Sequence, residues 1–169
     1  AGVVASETEP YRVRMTPDLF FANAGYYGYF GLAGSTYMEM SDILGNHHLA
    51  MMTSLWSTLD NSNYQFQYTY LKNRLNIGGG LFYLNYFYVP EFQRRAIYAD
   101  RNVGATVMVS YPFSRFLRLE MEALYLGIRR RIYTLGPVDR NTRQVLAPKL
   151  RLVGDNTIPG VTGYINGRR

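Results

Sequence analysis

The chain contains no cysteine, which removes disulfide frameworks, thiolate zinc sites and cysteine nucleophiles together and leaves the redox compartment undetermined. It also has no run of roughly 18 apolar residues, the length a helix needs to cross the hydrocarbon of a bilayer. A membrane-spanning helix is therefore excluded. Charge is scarce: 18% of the 169 residues are Asp, Glu, Lys or Arg, against about 25% in ordinary globular chains. The opening AGVVASETEP lacks a basic-then-apolar leader. The sequence is thus expected to be a processed form or, as the favoured reading, an excerpt of a longer one.

Aromatic and small residues are in excess, with sixteen Tyr, nine Phe and sixteen Gly. Aromatics favour strands and glycine favours turns and bends. A mean hydropathy of -0.18 suits a barrel that crosses a membrane in strands. Each such strand needs only about 9–11 residues and carries a polar side chain at every second position. One domain is expected at this length. The net charge of +6 suits nucleic acid or an anionic membrane surface, and the placement of the arginines must decide between them.

Period-two alternation is clear in four segments. In Tyr29–Ser41, Phe30, Leu32, Gly34, Thr36, Met38 and Met40 alternate with Tyr29, Gly31, Ala33, Ser35, Tyr37, Glu39 and Ser41. Tyr64, Phe66, Tyr68 and Tyr70 alternate with Gln65, Gln67 and Thr69. Val103, Ala105, Val107, Val109 and Tyr111 form a third apolar set, and Leu117, Leu119, Met121, Ala123 and Tyr125 a fourth, opposite Arg118, Glu120 and Glu122. Weaker strands are expected at Leu19–Tyr26, His48–Ser57, Leu75–Tyr88 and Val145–Val153, with Gly160–Arg169 starting another.

The connections alternate in length. Short turns are expected at Ser41–His47, Leu71–Arg74 and Pro112–Ser114, and long loops at Val89–Asn102 and Thr134–Gln144. Outer-membrane barrels keep short turns in the periplasm and long loops outside, which brings the N-terminus in from the periplasm. Arg94, Arg95 and Arg101 then lie in one outer loop, and Arg129, Arg130, Arg131, Arg140 and Arg143 cluster at the top of the neighbouring hairpin. There they would meet the phosphates of lipopolysaccharide through charge-assisted hydrogen bonds. The plainer alternative is solvated charge, or pairing with Glu91, Asp100 and Asp139. Nucleic acid fits less well, because the Tyr-rich strands carry no interleaved basic groove.

A charge at the bilayer midplane costs about 2–4 kcal/mol for Arg or Lys. Arg118, Glu120 and Glu122 are therefore expected to face an enclosed lumen and to pair with Lys149 and Arg151 on the next strand. Gln65 and Gln67 are assigned to the same lumen side. Phe30, Leu32, Met38, Phe66 and Ala105 are assigned to lipid. A catalytic carboxylate pair at Glu120 and Glu122 is the sharper but weaker reading. Ser41, Asp42, His47 and His48 hint at a metal site or triad, yet turn chemistry accounts for them, with no GxSxG or HExxH in support. Gly78-Gly79-Gly80 is not followed by GK[ST] or a helix, so bending or close strand approach explains it better than a phosphate cradle. The aromatic clusters Tyr83–Tyr88 and Tyr26–Phe30 suit membrane interfaces, or alternatively a soluble core.

Four blocks carry a family resemblance: Met40-Ser41-Asp42-Ile43-Leu44-Gly45-Asn46-His47, Tyr111-Pro112-Phe113-Ser114-Arg115-Phe116 running into Arg118-Leu119-Glu120, Gly154-Asp155-Asn156-Thr157, and Gly163-Tyr164-Ile165-Asn166-Gly167-Arg168. They resemble the barrel of bacterial surface antigens, a superfamily of outer-membrane assembly and secretion factors. The SDILGNH form in particular resembles barrels that follow a periplasmic Tol-type β-propeller in large bacterial proteins. The resemblance implies a sixteen-stranded barrel of which this chain holds the N-terminal half, with further strands or other chains completing the wall. The sequence departs from the family in having no clear copy of the arginine loop motif that plugs assembly barrels.

The expectation is therefore an all-β, antiparallel transmembrane β-barrel segment of about eight or nine strands. A periplasmic lead-in covers residues 1–16 and the barrel segment 17–169, in the outer membrane of a Gram-negative cell. Its role would be to anchor a periplasmic domain or to form part of a translocation or assembly pore. Outer-membrane lipid and lipopolysaccharide are its expected partners, without enzymatic activity, cofactor, metal or nucleic acid. The alternatives are a soluble eight-stranded ligand-binding barrel with the faces reversed and an outer-membrane lipid-modifying enzyme.

Overall fold

Alternating sequences of this kind form strands, because a two-residue period puts all apolar side chains on one face of a sheet and on no single face of a helix. The computed structural model describes residues 11–28, 31–88, 97–133, 139–154, 158–160 and 163–166. Within them the chain is all β. Eight strands follow in order: β1 (Met15–Tyr27), β2 (Gly31–Asp42), β3 (His47–Trp56), β4 (Thr58–Tyr70), β5 (Asn76–Tyr88), β6 (Ile97–Pro112), β7 (Leu117–Tyr133) and β8 (Asp139–Gly154). Each pairs antiparallel with its sequence neighbours in one eight-stranded meander. The sheet is open, with β1 and β8 as its edges.

Several boundaries differ from expectation. The loops expected at Val89–Asn102 and Thr134–Gln144 are shorter, because β6 begins at Ile97 and β8 at Asp139. Pairing explains the difference: β6 and β7 stay in register from Pro112↔Arg118 to Ile97↔Tyr133, and β7 and β8 from Leu117↔Gly154 to Ile132↔Asp139. Ladder hydrogen bonds thus carry polar sequence that has no hydrophobic strand signature. Arg101, Arg140 and Arg143, expected in loops, consequently lie on strands, and Arg129, Arg130 and Arg131 lie on β7 near the top of the β7–β8 hairpin. Strand β4 starts at Thr58 and not at Tyr64, and β1 reaches back to Met15, two residues into the expected lead-in. The expected strand at Gly160–Arg169 does not extend the sheet. Instead β9 (Ile158–Gly160) and β10 (Gly163–Asn166) pair with each other.

Three short turns, 43–46, 71–75 and 113–116, share one rim of the sheet. Contrary to a strict alternation of size, the β3–β4 link on the opposite rim is also tight. It is the single residue Ser57, at a left-handed φ of 47°. The buried Ser62 hydroxyl closes this link by accepting from the Trp56 N–H at 3.1 Å and donating to the Thr58 carbonyl at 2.8 Å. Phe30, Glu91, Arg94 and Arg95 fall outside the described residues.

The sheet is a single layer with almost no core. Among the described residues only Ala33 and Ala99 are buried hydrophobics. The accessible surface is 13528 Å², whereas a compact soluble monomer of this mass would expose roughly 8,500 Å².

Candidate functional site

Register decides which side chains share a face, because residues directly opposite on paired strands point the same way. Following the pairs across all eight strands gives one unbroken row: Phe20, Met38, Met51, Phe66, Leu81, Ala105, Tyr125 and Leu146. Every member is apolar or aromatic. Leu32 belongs to the same face, as do Val107, Met121, Leu150 and Leu152. These side chains are open to the surroundings: Phe20 is 63% exposed, Leu81 62% and Leu146 71%. Of the residues assigned to lipid, Leu32, Met38, Phe66 and Ala105 thus share one face, and Phe30 lies outside the described residues.

The other face collects Ser35, Glu39, Ser41, His48, Gln65, Gln67, Thr69, Asn102, Thr106, Ser110, Arg118, Glu120, Glu122, Lys149 and Arg151. All seven residues assigned to a lumen stand together here. Four clefts along the sheet are lined chiefly from this side, one of them by Tyr37, Ala50, Met52, Gln65, Gln67 and Phe82.

The charges on β7 and β8 form a ladder. Glu120 accepts from Arg118 Nε at 2.7 Å and lies 3.0 Å from Arg151 Nη2, directly across the strand pair. Glu122 accepts from Lys149 Nζ at 3.0 Å, with Arg151 Nη2 at 3.7 Å. Both carboxylates are held by cations in a ladder of net positive charge, which leaves neither as the free proton carrier that acid–base work needs.

Higher on the same face is a cluster that the linear sequence showed only as one alternative pairing. Arg130 donates through Nε and Nη2 to the two carboxylate oxygens of Asp100, at 2.8 and 2.6 Å. Its guanidinium also lies 5.7 Å from the ring centres of both Tyr88 and Tyr98, which are stacked on each other. Asp100, Arg130, Tyr88 and Tyr98 converge only through the pairs Tyr86↔Asp100, Asp100↔Arg130 and Tyr88↔Tyr98. No motif could have announced that.

The Ser41–His47 segment is a locked turn. Asp42, 2% exposed, takes the His47 N–H at 2.8 Å and the Tyr11 hydroxyl, while its carbonyl accepts the Gly45 N–H at 2.9 Å. Gly45 has a φ of +67°, the left-handed geometry that such a turn demands and a side chain resists. Asp42 is the last residue of β2, at the rim where the turn 43–46 begins. Burial pushes its carboxyl up, but the bonds from Tyr11 and the turn N–H groups outweigh burial and hold it below the ordinary carboxylate value. His47 and His48 point to opposite faces, His47 Nδ1 meeting the Tyr68 hydroxyl at 2.6 Å and His48 Nε2 the Gly45 carbonyl at 3.0 Å. They cannot converge on one ion. Among the described residues no group of three His, Cys, Asp or Glu could hold a metal.

Close approach accounts for the glycines better than phosphate binding. A Cβ on Gly80 would lie 3.0 Å from the Phe66 carbonyl, and one on Gly104 would lie 2.5 Å from the Tyr125 carbonyl and 2.3 Å from the Phe82 ring. No family model matches the chain, and no curated protein or solved structure matches it.

Proposed function

We propose that this chain is a segment of a transmembrane β-barrel of the outer-membrane type, whose role is structural or transport-related. It anchors a periplasmic domain or forms part of a translocation pore. The observation that carries the reading is the apolar row running in register across all eight strands on one side of a coreless sheet. Leaving one large apolar side chain in water forgoes about 1.5–3 kcal/mol, and a whole domain is stable by only about 5–15 kcal/mol. A face bearing Phe20, Leu81, Leu146, Leu150 and Leu152 exposed therefore needs an apolar surrounding, and acyl chains supply it.

The polar face then borders enclosed water, with the ladder of Arg118, Glu120, Glu122, Lys149 and Arg151 on the lumen wall. In hydrocarbon the unpaired backbone groups of edges β1 and β8 would lack partners. Further strands or another chain complete the wall, in keeping with the resemblance to surface-antigen barrels. The short-turn rim is the periplasmic one. A soluble ligand-binding barrel would need the apolar face inside and β1 paired to β8, and these two strands are the separate edges of the sheet.

Membrane fractionation with heat-modifiable gel migration tests the proposal. The protein is expected in the outer-membrane fraction and to migrate faster before boiling. Cysteines placed at Leu119 and Val107 should react only with lipid-soluble reagents, and one at Glu120 with aqueous ones. A soluble protein, or aqueous labelling at Leu119 and Val107 but not at Glu120, would overturn it.

A further inference from the structure

The apolar face does not stay apolar to its end. Beyond Val103 on β6 the next two positions on that side are Arg101 and Ala99. Beyond Gly127 on β7 they are Arg129 and Arg131, and beyond Gln144 on β8 they are Thr142 and Arg140. Arg101 stands directly opposite Arg129, and Arg131 directly opposite Arg140, so four arginines occupy two adjacent rows across three strands.

We propose that Arg101, Arg129, Arg131 and Arg140 form a platform for the phosphorylated headgroup of a lipid in the outer leaflet. This deepens the membrane reading above and rests on it.

Like charges placed directly across a strand pair repel, and this chain elsewhere avoids such an arrangement. Arg118, Arg130, Lys149 and Arg151 each contact a carboxylate. The four arginines on the apolar side make no ion pair among the described residues. An anion seated between them would turn repulsion into attraction, and its source must be external.

Depth identifies that source. On β7 the stretch from Leu117 to Gly127 is the length of about 9–11 residues that one bilayer crossing requires, and Arg129 is the next position on that side. Leu152, Leu150 and Leu146 on β8 and Val107 and Val103 on β6 cover the same depth below Arg140 and Arg101. The guanidinium groups therefore begin where acyl chains end and headgroups start. A guanidinium offers a planar fork matched to phosphate oxygens. Four in two rows suit a headgroup carrying more than one phosphate, while Thr142, opposite Arg129, and Gln144, opposite Gly127, add neutral polar groups for its hydroxyls.

In the test, the full-length protein is folded into phosphatidylcholine vesicles with or without a bisphosphorylated glycolipid, lipid A. Glycolipid retained after mild detergent extraction is measured by native mass spectrometry. Wild type should retain lipid A, and inorganic phosphate in solution should not displace it. The variant R101Q/R129Q/R131Q/R140Q should bind at least about tenfold more weakly, since each arginine near a charged lipid surface contributes attraction. R129Q/R131Q, confined to one strand, should show a smaller loss in the same direction. Arg143→Gln, on the polar face, should match wild type. Undiminished retention by both multiple variants, or displacement by inorganic phosphate, would overturn the proposal. If their heat-modifiable migration is intact, the barrel reading survives that result. A wild-type chain that never enters the vesicles would defeat the barrel reading itself, and the platform with it.

Discussion

Asp100 and Arg130 stand directly opposite on β6 and β7, joined by two parallel hydrogen bonds of 2.8 and 2.6 Å. Tyr88 and Tyr98, stacked on each other, both lie 5.7 Å from the guanidinium, so the cluster ties three strands together. Asp100→Ala removes the acceptor but leaves the cation over its rings. Because Arg130 is partly exposed, solvent screens the pair, and a loss of about 1 kcal/mol is expected. Urea unfolding midpoints in vesicles would show it, and the double variant D100A/R130A should lose less than the sum of the single changes.

A charge introduced into the apolar row should discriminate between faces. Leu81→Arg puts a cation in the middle of the row and is expected to cost about 2–4 kcal/mol of membrane folding stability. Gln67→Arg, one strand away on the polar face, should fold within about 0.5 kcal/mol of wild type. Folding yield into vesicles measures both, and equal yields would contradict the assignment of faces.

Glu120 is the hub of the ladder, bridging Arg118 on its own strand and Arg151 on β8. Glu120→Gln leaves three cations with one carboxylate and should destabilise by about 1 kcal/mol, tempered by the exposure of the arginines. Conductance recordings should show the accompanying change if this wall borders a pore: an added net positive charge shifts ion preference toward anions.

The locked turn predicts a pH response. The Asp42 carboxyl is held below its ordinary value by its hydrogen bonds. Its contribution to stability is therefore complete above the unfolded value of about 3.9 and is lost as pH falls through the folded one. Wild type should lose stability from about pH 4 downward, and Asp42→Asn should show a shallower loss over that window. Parallel curves for the two proteins would remove Asp42 from the account.

Gly104 faces the Phe82 ring and the Tyr125 backbone at distances no Cβ tolerates. Gly104→Ala should cost about 1–3 kcal/mol through forced displacement. Adding Phe82→Ala should recover only part of the loss, because the Tyr125 carbonyl cannot move aside as a ring can. Thermal or urea midpoints of the two variants would separate these contributions.

Much of the strand pattern could be read directly from the residues. Leu119, Met121 and Ala123 alternate with Glu120 and Glu122, and a two-residue period is a local property that needs no partner strand to be visible. The turn at Ser41–His47 was legible for the same reason, since its Asp, Gly and Asn act within a few residues. The upper ends of β6 and β8 were not legible. Arg101, Arg140 and Arg143 carry no hydrophobic strand signal and are strand only because β7 supplies their ladder partners.

By itself, then, the order of residues determined that four segments alternate an apolar with a polar side, that no helix is long and apolar enough to cross a bilayer, and which charges could share a wall. Only the tertiary structure decided that Phe20 and Leu146 lie on one row seven strand-pairings apart, that Arg101 meets Arg129, and that the polar side holds the clefts. The physical reason lies in register. A slip of two residues preserves every alternation within a strand yet changes every neighbour across it, so only backbone pairing over long separations can choose among the alternatives.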